Sequence, residues 1–240
     1  MMKKHRIHTS YLVVLLTVLF SMSSCWLSIT GTGPVATKSR PVGNFHELTV
    51  DIPATITLVM SDSSGCVITA QENIIENIKT DESGNKLVID SKKNYSTNKP
   101  VEIVLSTNTI TAIKLNGSGN IRVLNTVKGQ ELNLKINGSG NIIIPVEMIE
   151  TNSQINGSGD ITISGSSGEH NIEINGSGSV YADQLKVDNY HIKLNGSGDA
   201  KVNASGEMDV RLIGSGNVLY RGSPTIQSKI TGSGEVKKIN

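Results

Sequence analysis

The chain has 240 residues, with 22 Lys+Arg against 21 Asp+Glu, 37% hydrophobic residues and only 3% aromatic ones. That length holds one or two domains, and a nearly neutral chain so poor in aromatics offers no composition-level case for nucleic acid.

The N-terminus reads as a secretory signal over residues 1–24. Lys3, Lys4 and Arg6 supply a positive start, and Tyr11 to Phe20 is an apolar run too short to span a bilayer permanently. Ser23 and Ser24 before Cys25 read as a relaxed lipobox, which predicts cleavage ahead of Cys25, its lipidation, and attachment to a membrane through that lipid. Trp26 rather than Asp after the cysteine fits sorting to the outer membrane, with the surface and periplasmic faces both left open. Removing residues 1–24 leaves 19 Lys+Arg against 21 Asp+Glu, a net charge of −2. With Cys25 lipidated, Cys66 is the only free thiol, so no internal disulfide contributes.

Residues 25–42, with Gly31, Gly33, Pro34 and Pro41, read as the lipidated cysteine and a tether, Val35 and Val42 being able to join the first strands. A single domain over 43–240 follows. Its first part, 43–112, has alternating segments at 47–52, 54–60, 66–70, 86–91 and 101–106, and one or two helical turns at 72–78. We read these as degenerate coils that cap the end of a stack.

From 113 onward GSG occurs seven times, its first glycine at 117, 138, 157, 176, 196, 214 and 232, with spacings of 21, 19, 19, 20, 18 and 18. A period near 20 predicts stacked equivalent units. Two positions before that glycine stand Leu115, Ile136, Ile155, Ile174, Leu194, Leu212 and Ile230. Four after it stand Ile121, Ile142, Ile161, Val180, Ala200, Val218 and Val236. Two apolar columns, each at the period-two spacing of a strand, predict an all-β parallel solenoid with two main sheets, a GSG corner between them and a second turn, VKGQ in the first repeat.

The corner residues are Asn116, Gly117 and Gly119, then Asn137, Gly138 and Gly140; Asn156, Gly157 and Gly159; Asn175, Gly176 and Gly178; and Asn195, Gly196 and Gly198. Positive φ is expected at one or both glycines, and the asparagines are expected to bond amide to amide between coils. One outward column is mostly basic: Lys114, Lys135, Lys193, Arg211 and Lys229, with Gln154 and Glu173 between. Such a stripe suits an anionic polymer such as an acidic glycan or lipopolysaccharide, although the sequence favours its reading as a solvated, edge-protecting face.

Other motifs give way to the repeat. NGSG lacks the Lys-Ser/Thr of a phosphate loop and the spacing of a nucleophile elbow. Asn-Gly-Ser matches a glycosylation sequon formally, but turn chemistry explains it in a chain with a lipobox. Asp160 and Asp199 resemble a calcium-binding repeat only in part, and an acyltransferase hexapeptide helix fails on its third face. His46, His170, His191 and Cys66 show no metal-ligand spacing, so no metal, cofactor or catalytic group is expected.

The segment Gly31-Thr-Gly-Pro-Val35, then Arg40, Val42, Phe45, Leu48 and Val50, followed by the GSG series to Gly234, resembles the head GIN domain family of putative auto-transporter adhesins. The resemblance implies a right-handed parallel β-helix without catalytic residues and a role in cell adhesion. The expected protein is therefore a non-enzymatic envelope lipoprotein whose repetitive surface binds a glycan or a cell-surface protein. The alternative is a structural, self-associating envelope protein, an oligomer being compatible with either.

Overall fold

The period-two alternation becomes strand almost everywhere in the computed structural model, which describes residues 28–240. The signal segment and Cys25 lie outside the described residues. In chain order come β1 (Ile29–Thr30), β2 (Val35–Arg40), β3 (Glu47–Val50), β4 (Thr55–Met60), β5 (Gly65–Gln71), the helix α1 (Glu72–Asn77), β6 (Ile78–Ser83), β7 (Lys86–Ser91), β8 (Tyr95–Ser96) and β9 (Glu102–Thr107). The repeats then supply β10 (Ala112–Gly117), β11 (Asn120–Val123), β12 (Val127–Gly138), β13 (Asn141–Gly157), β14 (Asp160–Gly176), β15 (Ser179–Gly196), β16 (Ala200–Gly214), β17 (Val218–Gly222), β18 (Thr225–Gly232) and β19 (Val236–Lys238).

From β10 to β19 every coil pairs in parallel with the next. The column Leu115, Ile136, Ile155, Ile174, Leu194, Leu212, Ile230 runs in register through these pairings. So does the column from Ile121 to Val236. Both face inward, and all but the last residue of each are buried. A fully buried Ile or Leu contributes roughly 1.5–3 kcal/mol, so stacking like on like at about 4.8 Å supplies the cohesion that no single coil possesses.

The second turn differs from its expectation as a loop. Val127 to Gly138, VKGQ included, is one strand, and β13 and β14 each run 17 residues, their pairing skipping only Gln130, Ile149 and Gly168 at the bend. Residues on both sides of this bend stay paired with the neighbouring coils, so the chain turns with little loss of sheet. The inward alternation slips there instead, at Ile149–Glu150 and Gly168–Glu169, where two successive residues escape burial.

At the N-terminal end the chain doubles back. β3 and β4 pair in parallel with β10 and β11 as a degenerate coil, and the later strands β7 and β9 lie on their far side. Antiparallel pairing then closes this end, β6 on β7, β5 on β9 and β2 on β5. Part of the stretch expected as a tether is therefore structure, since β2 is a six-residue strand within it. Arg40 explains why: its guanidinium donates to the Ile75 and Ile78 carbonyls at 2.6 and 2.8 Å, satisfying the C-terminal end of α1. Cys66 is buried beneath, and burial pushes its thiol up to about 11.

Candidate ligand-binding face

The GSG corner is built differently at its two glycines. Gly157 has φ +137°, in the region that disfavours side chains, and it packs against the Gly138 carbonyl of the preceding coil. Gly159 has an ordinary φ, but a Cβ placed on it would lie 2.1 Å from the Gly140 oxygen. The first glycine thus combines a disfavoured φ with close approach, the second supplies close approach alone, and at Gly117, where nothing lies within 4 Å, only the φ remains. The preceding asparagines bond in series: Asn137 Nδ2 donates to Asn116 Oδ1 at 2.8 Å, Asn156 to Asn137 at 3.0 Å, Asn175 to Asn156 at 3.2 Å and Asn195 to Asn175 at 3.0 Å. Asn116 in turn donates to Asp51, which ends the series at the capping coil.

A second series was not anticipated from sequence. The residue after GSG accepts from the backbone N–H one coil later: Asn141 from Asp160 at 3.2 Å, Asp160 from Ser179 at 2.9 Å, and Asp199 from Asn217 at 2.8 Å. The signal was present, since this position is Asn, Asp, Ser or Glu in all seven copies. Each has an oxygen that can accept, and this gives the aspartates of GSGD a structural task.

The sheet that leads into the corners carries the basic column. Lys114 pairs with Lys135, and the column continues through Gln154, Glu173, Lys193, Arg211 and Lys229 on successive strands. The five cations therefore share one row in two groups, Lys114 with Lys135, and Lys193 with Arg211 and Lys229. Those of the second group are exposed and those of the first half-buried. The ion pairs among the described residues use other cations, so none of the five is held in an ion pair.

Beside this row runs a column of amides, Asn133, Asn152 and Asn171, then His191, and beyond it the acids Glu131, Glu150 and Glu169. The amides hold the acids: Asn133 Nδ2 donates to Glu131 at 2.9 Å, and Asn152 and Asn171 each donate to Glu150 at 3.2 Å. Glu173 is likewise held by Asn175 at 2.9 Å. Two adjoining depressions lie on this face, of about 400 and 530 Å³, and both are lined by Asn171, His191 and Lys193; Arg211 and Lys229 line the second. The floor is flat, polar and rigid, and it can donate hydrogen bonds and positive charge to a chain laid across the strands.

Behind the groove the core turns polar. His170 is fully buried, with Nε2 2.9 Å from Ser153 Oγ and its ring 5.4 Å from that of Tyr190. Its Nδ1 and the Tyr190 hydroxyl have no hydrogen-bond partner. Burial pulls His170 down to about 3, and raises Tyr190, with the Asn203 backbone opposing and the Asp183 carboxylate adding to that rise. His191, by contrast, is on the exposed face, 3.9 Å from the Glu169 carboxylate. His46 lies in neither place. No group of three or more His, Cys, Asp or Glu able to hold a metal occurs among the described residues.

The fold is shared with solved proteins. A crystal structure from Bacteroides fragilis, described as a "putative adhesin", is 25% identical, matches 88% of this chain and 100% of its own, and superposes with a TM-score of 0.82. Two from Parabacteroides distasonis, described as a "putative adhesin" and a "putative lipid binding protein", are each 24% identical, match 88% and 89% of this chain and all of their own, and have TM-scores of 0.74 and 0.75. No curated protein matches. Over residues 44–224 the sequence matches the family described as "putative auto-transporter adhesin, head GIN domain", and the chain belongs to that family.

Proposed function

We propose that this protein is a non-enzymatic adhesin of the cell envelope, anchored in the outer membrane by lipid on Cys25, whose basic face binds acidic glycans. The family and the solved adhesin-like relatives support an envelope protein without catalytic activity. The observation that carries the glycan reading is the row Lys193, Arg211, Lys229, exposed and outside any ion pair, beside a polar groove. Adjacent strands place these cations about 4.8 Å apart on a rigid sheet, so a polymer with regularly spaced carboxylates or sulfates meets several at once without ordering them. Beside these cations the adjoining column holds His191, Asp209 and Gln227, which can hydrogen-bond hydroxyls alongside.

The test is a glycan-array scan of residues 28–240 with its variant Lys114→Gln, Lys135→Gln, Lys193→Gln, Arg211→Gln, Lys229→Gln. Exposed charge pairs contribute about 0.2–1 kcal/mol each, so the fivefold variant should lose roughly 100-fold in affinity for sulfated or uronic glycans. All five side chains lie on the outer face, so thermal unfolding should be nearly unchanged. Unaltered binding by a folded variant would remove the face from the account.

A further inference from the structure

We infer that two copies of this chain join end to end about a two-fold axis through β18, so that the sheet carrying the basic row continues from one copy into the other. The N-terminal end of the stack is closed by antiparallel strands and α1. The opposite end is not. β18 pairs with β16 on one side only, which leaves the backbone groups of its other edge without a strand. Ile230 is 41% exposed there, although every other residue of its column, from Leu115 to Leu212, is at 0%. Ile226 on the same strand is only partly buried.

The sequence of this edge identifies its occupant. Thr225 to Thr231 reads Thr-Ile-Gln-Ser-Lys-Ile-Thr, the same in both directions except for Gln227 and Lys229. Antiparallel pairing centred on Ser228 sets Ile226 opposite the partner's Ile230, Thr225 opposite the partner's Thr231, and Ser228 opposite the partner's Ser228. Residues directly opposite in an antiparallel pair share a face. The inward residues Ile226, Ser228 and Ile230 thus meet inward residues, and the core column continues across the axis. Gln227 meets the partner's Lys229, so no two lysines oppose each other. A one-residue slip would set inward residues against outward ones.

The edge of the opposite sheet is less suited to a foreign strand. Lys238 of β19 pairs with Tyr220 in an inward column, and an inward charge discourages strand addition. Its exposed stem lets the ammonium stay in water while β18 sets the register. A symmetric pair closes on itself, whereas head-to-tail stacking would need the covered N-terminal end. The pairing does not rest on the glycan reading. Were both to hold, it would place two basic rows on one continuous sheet, and avidity would follow without new contacts.

Sedimentation velocity of residues 28–240 tests this with single variants at exposed positions. The wild type should show a concentration-dependent dimer. Gln227→Lys sets like charges opposite twice in each dimer and should weaken it about tenfold, while Gln227→Glu should tighten it by a similar factor. Under oxidation Ser228→Cys should give a covalent dimer. Thr225→Cys, which faces the partner's Thr231, should not, nor should the wild type with its buried Cys66. A monomer at every concentration, a dimer indifferent to both charges at 227, or equal crosslinking at 225 and 228 would overturn the assignment.

Discussion

Gly159→Ala is expected to destabilise the fold by about 3–5 kcal/mol, because it forces a side-chain atom onto the backbone at a packed site. The new Cβ would lie 2.1 Å from the Gly140 carbonyl oxygen and 2.9 Å from Ile136 Cγ2. That oxygen belongs to the coil below, and moving it means separating the coils. Two other glycines divide the effect into its causes. Gly117 has φ +94° with nothing within 4 Å of its would-be Cβ, so Gly117→Ala should cost only conformational strain, about 1–2 kcal/mol. At Gly129 the nearest atom is Met148 Sδ at 3.5 Å, an ordinary contact, and Gly129→Ala should stay within about 0.5 kcal/mol of wild type. Chemical denaturation of the three variants gives the order directly; equal losses at 117 and 159 would mean that close approach is not what the second glycine provides.

Acid should weaken the fold through one side chain. His170 is held neutral by burial, its pKa lowered from 6.5 to about 3. Between those values the unfolded chain binds a proton that the folded chain refuses, so stability is complete above pH 6.5 and falls as the pH drops. The slope is about 1.4 kcal/mol per pH unit from this group, which reaches on the order of 3 kcal/mol by pH 4.5. His170→Gln keeps a polar partner for Ser153 without titrating. Denaturation of both proteins at pH 7.5, 6, 5 and 4.5 should show this slope in the wild type and its loss in the variant. Parallel curves would contradict a neutral buried imidazole. The polar interior also leaves room for adjustment, since Thr151 and Ser167 bond to each other at 3.1 Å nearby.

Much of this architecture was legible because GSG fixes the frame. Once the corners are aligned, apolar residues fall two before and four after in every copy, and the same alignment puts Lys193, Arg211 and Lys229 in one column. The asparagine series follows from that frame, because equivalent positions in stacked coils must face each other. What stayed hidden depends on contacts outside it. β7 and β9 lie beyond β3 and β4 although they come later in the chain, and no local pattern encodes a chain that doubles back. The VKGQ bend reads as a turn from its glycine, whereas pairing with the next coil keeps it strand. The column six before the five middle corner glycines, Gly138 to Gly214, holds Leu132, Thr151, His170, Tyr190 and Met208. Its mixed chemistry hides its inward direction, and carrying the alternation two residues further upstream exposes it.

The groove's amide column illustrates how one frame produces both stability and surface. Asn152 and Asn171 hold the Glu150 carboxylate by hydrogen bonds, which fixes the acids beyond the amide column while the lysine and arginine row stays outside any ion pair. Gln154 and Glu173 interrupt that row, so its two groups are unequal. Lys114 and Lys135 stand as a half-buried pair, and the other three are consecutive and exposed.

That inequality gives the sharpest measurement of the central claim. Binding of residues 28–240 to a sulfated polysaccharide should be compared at rising salt for the wild type, for Lys193→Gln/Arg211→Gln/Lys229→Gln, and for Lys114→Gln/Lys135→Gln. Exposed charge is screened over about 10 Å at 0.1 M salt, so the account predicts that the triple variant loses most of both affinity and salt dependence, while the pair variant retains them nearly intact. Equal loss in the two variants, or a triple variant that keeps wild-type affinity and salt dependence, would contradict it.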